Sequence, residues 1–103
     1  MTVVEIRDMI AEVDPNARHY ENPHDGTNYT VWMEYERTGL AADDESGKGW
    51  KFQIDRYTKD EFDLIADALE LTLDTNDAIT FTHMVEYDQE SGYIRHIFDC
   101  VGC

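Results

Sequence analysis

The sequence predicts an α+β fold, with elements in the order α-β-β-α-β-β and a mostly antiparallel sheet covered by helices. Three observations carry this. Trp50, Phe52 and Ile54 alternate with Lys51, Gln53 and Asp55, which gives a strand one apolar and one wet face. Thr58 and Glu61 have capping-box spacing, and Phe62, Ile65, Ala66, Leu69 and Leu73 follow at helical intervals. Two further alternating runs, 79–87 and 93–100, flank a polar turn at 88–92. Strand runs with too few helices to cross over each time favour antiparallel pairing.

Taken in order, residues 2–13 read as the first helix. Val3, Ile6, Ile10 and Val13 share a face, Thr2 and Glu5 form a second capping-box pair, and Pro15 ends the element. Residues 14–28 are rich in Asp, Asn, Pro and Gly and read as a loop. Residues 29–35 form the first strand, with Val31, Met33 and Tyr35 on one face and Thr30, Trp32 and Glu34 on the other. A long acidic loop at 38–49 leads to the central strand at 50–57. The helix that starts at Thr58 is expected to lie on the sheet and expose an acidic back through Asp60, Asp63, Asp67 and Glu70. Residues 74–77 turn into the closing hairpin, where pairing of Tyr87 with Tyr93 would put His83 and His96 on opposite faces.

The chain has 103 residues, enough for one domain with a single modest core. No apolar stretch approaches the ~20 residues of a membrane span, and the N-terminus lacks the basic flank and apolar run of a signal peptide. The expectation is a chain made in the cytoplasm, with no membrane partner. Acids outnumber bases 23 to 8, a formal net charge of −15. That argues against direct binding of nucleic acid, whose affinity for proteins comes largely from Lys and Arg displacing counterions. An acidic surface suits a wall that DNA slides past, or a mimic of DNA that occupies a basic groove, or simple solubility.

No catalytic constellation emerges, and the chain reads as a non-enzyme without metal or cofactor. Ser46 and Ser91 fall in turns, outside any nucleophile-elbow context. Asp43, Asp44 and Glu45 lack the alternating oxygen ligands of a calcium loop. Cys100 and Cys103 match a CxxC spacing but stand at the chain end, where neither a redox helix nor two more zinc ligands follow. Trp32, Trp50, Phe52 and Tyr57 lack the basic groove that accompanies base-stacking platforms. They read as core or subunit contacts, and the face with Thr30, Trp32 and Glu34 reads as one suited to self-association.

The run GWKFQIDRYTKDEFDLIADALELTL, preceded by YTVWMEYERTGLAADDE and followed by VEYDQESGYIRHIFD, resembles the small tail-terminator or tail-completion proteins of long-tailed bacteriophages and prophages. The matching positions are Tyr29, Trp32 and Tyr35; residues 42–45; residues 52–57; residues 62–73; and Tyr87, Asp88, Gly92, Tyr93 and His96. Arg56 stands where that family usually has an apolar residue, and the CVGC tail has no counterpart.

The resemblance implies a structural virion protein of the tail end or neck. Copies would form a ring, six in the family, that caps the tail tube, stops its growth and meets the head-side connector or stopper while DNA passes without specific binding. A ring of six would carry on the order of −90 formal charge, so its seams must gather the few bases. Candidate subunit or tube contacts are Trp32, Arg37, Lys48, Trp50, Lys51, Arg56 and Arg95. Candidate lumen or partner-facing acids are Asp43, Asp44, Glu45, Asp60, Asp63, Asp67 and Glu70. The alternative is an acidic DNA-mimic inhibitor of the anti-CRISPR or anti-restriction type.

Overall fold

The computed structural model describes residues 1–39 and 48–103, with the side chain of Lys48 outside that description. Asp43, Asp44 and Glu45, three of the expected acidic contacts, also lie outside it. The elements are α1 (Val3–Val13), β1 (Arg18–His19), β2 (Tyr29–Gly39), β3 (Lys48–Thr58), α2 (Leu64–Asp74), β4 (Ile79–Tyr87) and β5 (Ile94–Gly102). The five strands form one sheet in the order β1-β2-β3-β5-β4. All pairings are antiparallel except that of β1 with β2, so the α+β expectation holds with one short parallel addition. That addition comes from the segment expected to be loop. Two residues carry too little pattern for a strand to be read from them.

Both helices pack on one face of the sheet. Ile6 and Ile10 of α1 and Leu69 and Leu73 of α2 are buried against Trp32, Phe52, Ile54, Phe98 and Cys100. The register explains this grouping, because Trp32 pairs with Ile54, Ile54 with Phe98, and Phe52 with Cys100. Their side chains therefore stand on the same side. Thr30, Trp32 and Glu34 thus belong to the helix-covered face, which corrects the expectation that this face meets another copy. Trp32 is 2 % exposed and is a core residue, not a subunit contact.

α1 begins as its sequence indicates. Thr2 Oγ1 accepts the amide of Glu5, and the Glu5 carboxylate accepts the amide of Thr2, each at 3.1 Å. The start of α2 differs. Thr58 remains in β3, paired with Ile94, and its hydroxyl accepts the amide of Asp60. The cap is Asp63, whose side chain accepts the amide of Ala66 at 3.1 Å. Phe62 consequently precedes the helix and is 85 % exposed instead of packed. Thr58 is fully buried in the sheet, and a carboxylate already fixed by a cation outcompetes its hydroxyl as a helix cap.

The hairpin register is the second correction. The backbone N–H of Asp88 bonds to the carbonyl of Tyr93, and Gly92, at φ 78°, bonds back to Asp88. Tyr87 therefore pairs with Ile94, one residue from the expected register. A one-residue shift moves every side chain of one strand to the opposite face relative to its partner. His83 and His96 consequently lie on the same face.

Candidate functional site

Arg56 sits at the meeting point of the sheet and both helix ends. Its Nε lies 2.8 Å from Asp63 Oδ2, its Nη2 donates to Asp63 Oδ1 at 3.4 Å, and its Nη1 reaches Thr30 Oγ1 at 3.3 Å and Asp14 Oδ2 at 3.6 Å. Asp14 is the residue that closes α1, and Asp63 is the cap of α2. All three charged residues are buried. Arg56 is thus an internal clasp and not a seam contact, and Asp63 is not part of an exposed acidic surface. A guanidinium at this position satisfies two carboxylates that an apolar residue would leave buried and unpaired.

The other expected cations that the structure describes have partners within their own chain. Lys51 Nζ bridges to Glu36 at 2.8 Å, and Arg37 lies 5.0 Å above the half-buried Trp50 ring. Arg95 reaches Asp55 at 2.8 Å and Glu86 at 3.6 Å. Lys51 and Glu36 meet because β2 carries an irregularity between Glu34 and Glu36, which returns Glu36 to the face of Lys51. Asp60, Asp67 and Glu70 remain exposed as expected. The outward side of α2 is not purely acidic, however. Leu64 and Leu71, two turns apart, are 81 % and 64 % exposed beside those carboxylates.

The register places a second polar cluster at the edge of the core. His83 Nε2 lies 2.9 Å from His96 Nδ1, His83 Nδ1 lies 3.3 Å from Glu70 Oε1, and the His83 ring stacks on Phe98. One pair of neutral tautomers satisfies this chain: His83 donates from Nδ1 to Glu70 and accepts at Nε2 from His96. His96 Nε2 is buried without a hydrogen-bond partner among the described residues. Burial and the neighbouring His83 lower the His96 pKa below the usual imidazole value, against the opposing pull of Asp63 and Asp67. Two close imidazoles invite comparison with a metal site, but no group of three or more His, Cys, Asp or Glu suited to a metal occurs among the described residues. Cys100 is buried and Cys103 exposed, both as free thiols, and burial pushes the Cys100 thiol up.

On the sheet face away from the helices, one row crosses four strands as Tyr29, Tyr57, Arg95 and Glu86. Tyr29 and Tyr57 stack at 4.5 Å, and Tyr93 meets both edge-on at 5.8 and 5.9 Å. Arg95 lies 5.5 Å from the Tyr57 ring, and Lys59 lies 5.0 Å above Tyr93. Tyr93 also donates its hydroxyl to the carbonyl of Thr27, while Tyr29 accepts from Asn22, which ties the 20–28 segment to the end of the sheet. Between that segment and the β4–β5 turn lies a cleft of ≈ 530 Å³, floored by these tyrosines. Tyr57 alone of them was among the candidate stacking aromatics, while Tyr29 and Tyr93 entered only as matching positions of the resemblance. The cleft gathers residues far apart in the chain, and the one local signal was the Tyr87–Tyr93 hairpin tip.

No known protein-family model matches the chain, and no curated protein matches it. No helix among the described residues is long and apolar enough to cross a membrane.

Proposed function

We propose that the chain is a structural protein of a long-tailed phage or prophage particle, a tail terminator that assembles as a ring, most simply of six copies, on the end of the tail tube. The ring stops tube growth, contacts the tube protein on one side and the head-side connector on the other, and lets DNA through.

The observation that carries this reading is the group of exposed apolar side chains on and just before α2. Leu64 and Leu71 stand exposed among the acids of α2, with Phe62 exposed just before the helix. Exposed apolar side chains grouped along one side of a helix suit a contact with another protein. The strand edges add to it. β4 is a nine-residue edge strand without Pro, Lys or an irregularity in its pairing, whereas the opposite edge is shortened to the two residues of β1. The excess of carboxylates offers no counterion-releasing surface to DNA, which suits a conduit. Leucines interspersed with the acids of α2 suit a protein contact better than imitation of a phosphate run.

The test is to delete the gene from the phage or prophage and image the particles. The expected result is overlong tails or tails without heads, restored by the wild-type gene. Normal virions from the deletion would refute the reading.

A further inference from the structure

We propose that the open edge of β4 seats an extended segment of another protein, one that carries Lys or Arg and adds to the sheet as a further strand. The inference goes beyond the tail-terminator reading and does not depend on it.

The backbone at this edge is arranged for another strand. β4 has a strand neighbour on one side only. At the two ends of its ladder with β5, the Asp88 N–H bonds to the Tyr93 carbonyl and the Cys103 N–H to the Ala78 carbonyl. Bonded pairs alternate along an antiparallel ladder, so Thr80, Thr82, Met84 and Glu86 turn their N–H and C=O groups to β5. Phe81, His83, Val85 and Tyr87 turn theirs outward, as a regularly spaced row of donors and acceptors that an extended chain matches.

The side chains beside this row add apolar contact. His83 stacks on Phe98 on the helix-covered side, and Val85 and Tyr87 follow on that side at 58 % and 63 % exposure. Met84, 54 % exposed, stands on the opposite side with Glu86. Apolar groups therefore flank the edge on both faces of the sheet, where alternate residues of an added strand would meet them.

The surrounding charge selects the partner. Residues 60–94, which include α2, β4 and the turns at both ends of β4, hold ten Asp or Glu and no Lys or Arg. Arg56 answers Asp63, Arg95 answers Glu86, and Lys59 lies over Tyr93. Setting each of these three cations against one acid, with His83 and His96 neutral, still leaves seven carboxylates. Glu70 of α2 reaches His83 itself, so the excess extends over the edge strand. A second copy is the poorer occupant. Two β4 strands paired antiparallel in one sheet keep both α2 helices on the same side and bring two such acidic blocks together. A segment with Lys or Arg between apolar residues matches both the backbone row and the charge.

The experiment titrates the full chain at about pH 7 and follows backbone amide exchange by NMR. The probes are three capped peptides of the same length: Lys-Val-Lys-Val-Lys-Val-Lys, its counterpart with Glu in place of Lys, and its counterpart with Pro in place of Val. In the free chain the amides of Thr82, Met84 and Glu86 are expected to be protected, while those of Phe81, His83, Val85 and Tyr87 exchange freely. The Lys-Val peptide is expected to bind with Kd on the order of 0.1–3 mM and to slow the second group roughly tenfold or more. Val85→Pro removes an outward N–H without touching the ladder to β5, and Val85→Lys adds a like charge at the edge. Each is expected to weaken binding about fivefold or more, with Thr82 and Met84 still protected as the sign that β4 remains in place. Absence of saturation up to about 10 mM would overturn the proposal. So would equal binding by the Pro peptide, which cannot extend a ladder, or by the Glu peptide, which reverses the charge. Protection of the outward amides that rises with protein concentration and needs no peptide would give the edge to a second copy instead, and so refute the assignment.

Discussion

The Oδ2 atom of Asp63 accepts Arg56 Nε at 2.8 Å and the backbone amide of Ala66 at 3.1 Å, so one carboxylate both caps α2 and neutralises the buried guanidinium. Arg56 reaches Asp14 at the end of α1 as well, and so joins β3 to both helices. Removing Arg56 leaves two buried carboxylates without their cation, and such losses cost about 3–5 kcal/mol. Arg56→Ala is expected to lower the unfolding free energy from urea denaturation by that amount. A change under about 1 kcal/mol would show that the clasp is not closed in solution.

The two possible caps of α2 separate cleanly by mutation. Asp63→Ala removes the acceptor for Ala66 and the partner of Arg56, a loss of roughly 2–4 kcal/mol. Glu61→Ala touches an exposed residue outside the helix and is expected to stay within about 0.5 kcal/mol of wild type. Equilibrium denaturation of both variants decides the point, since equal losses would restore the Thr58–Glu61 capping box.

The histidine pair makes stability depend on pH. The folded-state pKa of His96 is depressed by burial and by His83, so between the folded and unfolded values the unfolded chain binds more protons. Its contribution is therefore complete above about pH 6.5, the unfolded value, and is lost as pH falls below it. Unfolding free energies from urea denaturation between pH 8 and pH 5 are expected to fall with a slope no steeper than about 1.4 kcal/mol per pH unit from this group. Carboxylates contribute their own slope at the acidic end. His96→Asn isolates the imidazole component, and an unchanged profile in that variant would remove His96 as its source.

Gly49 lies where β2, β3 and β5 converge. A β-carbon there would collide with the backbone carbonyl of Gly102 and press on Thr38 Oγ1 at 3.1 Å. The first obstacle is backbone and cannot rotate away. Gly49→Ala is expected to destabilise by about 1–3 kcal/mol, read from the thermal midpoint. At Gly39, where a β-carbon meets nothing within 4 Å, the same change is expected to cost much less.

The two thiols are expected to differ in reaction with a chromogenic disulfide reagent. Exposed Cys103 reacts at once, while Cys100, 1 % exposed and with its thiol pKa pushed up by burial, reacts only after unfolding. One thiol per native chain and two in denaturant is the expected count. Two fast thiols in the native chain would contradict the packing of Cys100 against the core.

Local pattern determined much of the architecture. The capping box at Thr2, the faces of α1, the alternation from Trp50 to Asp55 and the buried Ala66, Leu69 and Leu73 all depend on neighbours within a turn or along one strand, and those are visible in the sequence. Tertiary structure decided which possible partner each polar group takes. The sequence pointed to Thr58 as the cap of α2, and the buried Arg56 of β3 holds Asp63 in that place instead. The sequence suggested that Tyr87 pairs with Tyr93, but the Asp88–Tyr93 backbone bond sets Tyr87 opposite Ile94, the register that brings His83 to His96. Trp32 was equally compatible with a core or an interface until the helices chose its face. The tyrosine cleft required four strands and a loop to meet. Short-range periodicity fixes an element's own faces, but pairing register and buried charge partners are set by contacts between elements, and the pattern within one element does not record them.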